Sequence, residues 1–123
     1  MYERPEVTPK EALEFVEKFR KELPEIWKTR GRTYGTLENE HSRVCALGAA
    51  YVVGGVEHPY TDLIALDNTA YRIALHVNTM LGTVLDGNIR LVALNDGWEP
   101  NEAIYEYLDQ KIAKFKERNS EEL

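Results

Sequence analysis

Val44-Cys45-Ala46-Leu47-Gly48-Ala49-Ala50-Tyr51-Val52-Val53 is apolar on every side, and whether it coils or extends decides the fold. Periodicity does not separate a buried strand from a buried helix in so short a run. Its alanines favour a helix, and Gly54-Gly55 supplies the stop. As a helix, the segment would gather Cys45, Gly48, Ala49 and Val52 into a small-residue face that lets a second helix approach closely. Ser42 is the expected cap. The alternative is a buried strand over 44–53.

The flanks of this segment read as amphipathic helices. Upstream, Thr8, Pro9 and Glu11 form a capping signature. Ala12, Phe15, Val16, Phe19 and Leu23 then recur at helical spacing. Pro24 is expected to interrupt the helix, with a short extension carrying Ile26 and Trp27 inward until Gly31 ends it. Arg32–Glu40 reads as a loop around Gly35. Downstream, His58-Pro59-Tyr60 reads as a turn, and Asp62–Leu66 as a helical turn or the start of the next helix. Asp67 or Asn68 caps a longer helix whose stripe is Leu66, Ala70, Ile73, Ala74, Val77, Leu81 and Val84, closed by Asp86-Gly87. Asn88–Leu94 is short and apolar and fits either a strand or one to two helical turns. Asn95-Asp96-Gly97 is a turn signal. Pro100 opens a last helix with Ile104, Tyr107, Leu108, Ile112 and Phe115 inward, and Lys111, Lys114, Lys116 and Arg118 complementing its C-terminal dipole. The expectation is an all-α bundle of about four to five helices. The alternative is α+β, with short strands at 44–53 and 88–94.

Charge supports that layering. Of the 123 residues, the 55 at positions 44–98 hold only 7 charges, while the flanking 68 hold 29. Charged side chains are rarely buried unless paired, so the middle reads as core and the ends as a shell. One domain over 1–123 is expected, with a polar tail from about 117. The net charge of -6 argues against nucleic-acid binding, unless Lys28–Arg43 forms a local basic face. Val44–Val56 lacks charge but is too short to cross a bilayer, and the N-terminus lacks the layout of a signal peptide. A cytoplasmic protein without membrane association is therefore expected.

Candidate chemistry is sparse. Cys45, the single cysteine, is a candidate nucleophile with His41 one helical turn earlier or His76 as base. Its apolar setting favours packing instead. His41 and Cys45 have metal-ligand spacing, but neither His58 nor His76 completes a local set of three or four ligands, so no metal and no cofactor is expected. Lys28–Gly35 lacks the features of a phosphate-binding loop. Candidate binding residues are Arg32 and Tyr34 in that basic stretch, and Asn95, Asp96 and Trp98, which set a polar pair and a large aromatic beside the core. Turn chemistry alone accounts for Asn, Asp and Gly there.

Arg43-Val44-Cys45-Ala46-Leu47-Gly48-Ala49, followed by a helical middle, Leu91-Val92-Ala93-Leu94-Asn95-Asp96 and an amphipathic last helix, resembles a family of small actinobacterial and actinobacteriophage proteins of unassigned function. That family pairs a Cys-Ala-x-Gly-Ala helix with an apolar-Asn-Asp turn. Trp27 and Gly31 fit loosely, and the resemblance covers roughly residues 10–115. The chain departs from the family after Asp96, where Gly97-Trp98-Glu99-Pro100 replaces a Gly-Arg-Thr cap. The resemblance implies a helical fold and a phage setting, and it implies no reaction. The resulting expectation is a non-enzymatic protein acting through a protein partner or self-association, as a phage accessory or host-interaction factor. Tyr34, Tyr60, Trp98 and Tyr105 are candidate contact aromatics. The alternative is a small enzyme or ligand binder using Cys45 with a histidine, or the Asn95-Asp96 turn.

Overall fold

The computed structural model describes residues 5–123. Its helices are α1 (Pro9–Arg30), α2 (Ala46–Gly54), α3 (Pro59–Ile64), α4 (Asn68–Leu85), α5 (Ile89–Asp96) and α6 (Asn101–Arg118), followed by a 3-10 turn at Ser120–Glu122. The architecture is the all-α bundle. Among the described residues the α-helices number six because α3 and α5, of six and eight residues, form as separate short elements. Both segments with a strand alternative are helical, and extended pairing among the described residues is confined to isolated bridges of Val44 with Arg32 and with Glu38.

α1 runs through Pro24 without stopping. A helix that ended there would carry Trp27 off the stripe; continuing buries Leu23 and Trp27 together and lets the Trp27 indole donate to Val44 O at 3.0 Å. Thr8 caps as expected, its hydroxyl accepting from Glu11 N at 3.1 Å. The Glu11 carboxylate meets His76 Nε2 of α4 at 2.8 Å. Gly31, at φ 88°, ends the helix.

α2 starts later than expected. Ser42 sits at φ 63° in the preceding loop, and Cys45 is the N-cap, its Sγ accepting from Gly48 N at 3.2 Å. Cys45 and Gly48 therefore do not form part of a helix–helix face. A Cβ on Gly48 would lie 2.1 Å from the Leu37 carbonyl oxygen, so that glycine admits a loop. Close helix approach occurs at the other end, where a Cβ on Gly54 would lie 2.5 Å from Val77 Cγ2 of α4.

The core is a continuous cluster. α1 contributes Val16, Phe19 and Leu23, α4 Val77, Leu81 and Val84, and α6 Ile104, Leu108 and Phe115, with Leu91 from α5. Each large side chain so buried contributes about 1.5–3 kcal/mol. Leu66 is not part of the α4 stripe. It follows α3 in the left-handed region at φ 57° and is 70% exposed. α6 carries on to Arg118, past the expected start of the polar tail. Among the described residues no helix is long and apolar enough to cross a membrane.

Candidate functional site

The segment between α1 and α2 folds back on itself. Val44 N donates to Gly31 O and Thr33 N to Val44 O, both at 3.1 Å, while Cys45 N donates to Leu37 O at 3.2 Å. This brings Arg32, Tyr34 and Gly35 against the corner between α5 and α6.

Asn95 holds the two parts together. It lies in the last turn of α5, not in a turn beyond it, and is 1% exposed. Its Oδ1 accepts from Arg32 Nε at 3.1 Å and from Ala46 N at 3.0 Å. Its Nδ2 donates to Thr33 O at 3.0 Å and to Asp96 Oδ1 at 3.1 Å. One buried amide thus satisfies a helix-start N–H, a loop carbonyl and a guanidinium, which offsets the cost of its own burial. Arg32 also donates to Asn95 O at 2.8 Å and to Asn101 Oδ1 at 2.9 Å. Asp96 Oδ1 accepts from Gly35 N at 2.9 Å.

The hydrogen-bonded corner carries an aromatic ladder. The Arg32 guanidinium lies 5.1 Å from the Trp27 ring and 4.9 Å from the Tyr34 ring. Tyr34 stacks on Trp98 with centroids 3.9 Å apart and planes 12° from parallel. The five residues expected to bind, Arg32, Tyr34, Asn95, Asp96 and Trp98, are thereby gathered into one cluster.

Trp98 is in the left-handed region at φ 62°. The hydrogen bonds Trp98 N to Asn95 O and Glu99 N to Leu94 O form a Schellman cap, with Trp98 in the position that usually falls to glycine. Gly97, one residue earlier, has φ -78°. A tryptophan in this conformation costs about 1–2 kcal/mol, yet Trp98 remains 72% exposed.

Beside the stack runs a groove of about 200 Å³. Its walls are Gly35–Leu37 of the loop, Cys45 and Leu47 at the start of α2, and Val92, Asn95 and Asp96 of α5. Leu47 and Val92 belong to apolar runs that read as packing, and Leu37 is a lone apolar residue in a loop, so no local pattern marks the three as one wall. Ile89, Val92 and Asp96 share one face of α5 by their i, i+3, i+7 spacing, and Ile89 is 83% exposed.

The cysteine chemistry does not assemble. Burial pushes the Cys45 thiol up from its ordinary pKa, and its sulfur is occupied as a cap. No histidine lines its groove. α2 begins at Ala46, so His41 and Cys45 do not share a helical turn; His41 is exposed beside Glu40, and His76 is paired with Glu11. Among the described residues no three His, Cys, Asp or Glu side chains converge to hold a metal.

A second polar cluster leaves no mark on the sequence pattern. Glu38, 5% exposed, accepts from Arg30 Nη2 at 2.6 Å, and its Oε2 lies 3.0 Å from His58 Nδ1. The hydrogen bond to Glu38 raises the His58 pKa. No helical or strand period marks a loop glutamate as buried, so this ion pair had no signal to find it by. Compared with known proteins, the chain matches no family model, no curated protein and no solved structure.

Proposed function

We propose that the protein is a non-enzymatic binding module that engages a protein partner through the Tyr34–Trp98 stack and the adjoining groove. One observation carries this reading: Trp98 is held in a strained backbone conformation and left mostly exposed. Strain of this kind persists where the surroundings enforce it, and it clusters at functional surfaces. Here the Tyr34 stack and the hydrogen bond from Trp98 N to Asn95 O hold it. The surface has the composition of an interface centre, with exposed aromatic and aliphatic side chains beside a concave apolar wall. The phage accessory or host-interaction setting is suggested by the likeness at Arg43–Ala49 and Leu91–Asp96, stretches that include Asn95 and Asp96.

Site-specific photo-cross-linking in the organism that encodes the chain tests this reading. A photoreactive residue at Ile89 is compared with one at Glu14, on the exposed side of α1. The expected result is a discrete adduct from position 89 that is absent from position 14. An adduct of twice the 14.1 kDa chain would identify the partner as a second copy. Equal, diffuse labelling from both positions would contradict the proposal.

A further inference from the structure

The aromatic ladder runs Trp27, Arg32, Tyr34, Trp98, and its outer end is open. Arg32 lies between the Trp27 and Tyr34 rings. Trp98 covers the other face of Tyr34. A tryptophan stacked on one side and still 72% exposed presents its second face to solvent. Aromatic faces carry the negative lobe of the ring quadrupole and attract cations, tryptophan most strongly.

The charged residues that flank Trp98 along the chain have one sign. Asp96, Glu99 and Glu102 are exposed within seven residues at the corner between α5 and α6. None of them is in an ion pair among the described residues. Asp96 uses Oδ1 for Gly35 N and Asn95 Nδ2. Arg32, the nearby cation, is committed to Asn95 and Asn101 behind Tyr34. Arg90 acts electrostatically on Tyr107 of α6.

We infer that the partner presents an arginine, which stacks on the open face of Trp98 within reach of the Asp96, Glu99 and Glu102 carboxylates, while a neighbouring apolar side chain enters the groove. The inference rests on the protein-binding reading above and names the chemistry of the partner. Guanidinium is preferred to ammonium because its plane stacks on the indole and its fork pairs with carboxylates. The apolar neighbour is required because Leu37, Leu47 and Val92 line a wall that a lone cation would leave wet.

The test is an NMR titration of the isotope-labelled full chain with acetyl-Leu-Arg-amide, alongside the Leu-Lys and Leu-citrulline counterparts. The Trp98 indole and the Leu47 and Val92 methyls are followed. Saturable shifts with Leu-Arg are expected at a Kd of about 1–10 mM. Affinity should fall by about fivefold or more for citrulline, which keeps the shape but not the charge. Trp98→Gly should abolish the response, and the surface pair Glu99→Gln/Glu102→Gln should weaken it by about threefold at low salt. Equal affinity for arginine and citrulline, an unchanged response in Trp98→Gly, or no saturable shift would each overturn the assignment. A Trp98-dependent photo-adduct from position 89 without a dipeptide response would retain the protein-binding reading and remove the arginine. Loss of both would remove the reading itself.

Discussion

At the scale of single residues, the buried side chains of Asn95 and Glu38 hold the corner and the loop. Asn95→Ala removes four hydrogen bonds, and the buried Ala46 N–H and Thr33 C=O lose their side-chain partner. Each orphaned group costs about 1–3 kcal/mol, so chemical denaturation should show a loss of about 3 kcal/mol or more. His58 makes a pH-dependent contribution. Its pKa is raised chiefly by the hydrogen bond to Glu38, with Glu57 reinforcing the shift and burial and Arg30 opposing it. Below its ordinary value of about 6.5 the folded-state contribution is fully present; it disappears as pH rises through the raised folded value. The stability difference between wild type and His58→Gln should therefore be larger at pH 6 than at pH 8.5, and an equal difference at both would exclude the pair. Asn95-Asp96 stood out in the sequence as a polar pair beside an aromatic, but turn chemistry claimed it. That asparagine is a helical residue, buried because its partners are a loop and a helix start 49 to 63 positions away, and separations of that size leave no mark on local pattern.

At the scale of elements, the apolar stripes of α1, α4 and α6 were legible because each repeats at helical spacing over many turns. The element boundaries were less so. Pro24 costs one backbone donor, but burial of Leu23 and Trp27 outweighs it, and tertiary packing of that kind is invisible to a local rule. The start of α2 is not legible in the sequence because Cys45 caps through sulfur, an uncommon acceptor. Glycine shows the same dependence on context. Gly48→Ala drives a methyl group into the Leu37 carbonyl, where backbone must move, and should cost about 2–3 kcal/mol. Gly82→Ala, inside α4 with nothing within 4 Å of the new carbon, should stabilise by up to about 1 kcal/mol. Thermal denaturation of the two variants should move in opposite directions. A common direction would contradict the packing described for α2.

At the scale of the whole molecule, the uneven charge pattern anticipated the layering: the nearly uncharged middle supplies α2, α4 and α5, and the charge-rich ends supply α1 and α6. The five binding candidates come from both regions, and their convergence depends on the return of the loop along Val44 to the end of α5. Residues 31–45 and 95–101 are thus joined into one surface that neither segment forms alone. The most direct test separates this surface from stability. Trp98→Gly loses a stacking contact worth about 0.5–1.5 kcal/mol and relieves about 1–2 kcal/mol of left-handed strain, so its melting temperature should stay within about 5 °C of wild type. Photo-adduct yield from position 89 is to be measured in the same background as that melting temperature. The adduct is expected to disappear while the fold is retained; an adduct formed as efficiently without Trp98 would contradict a binding role for this surface.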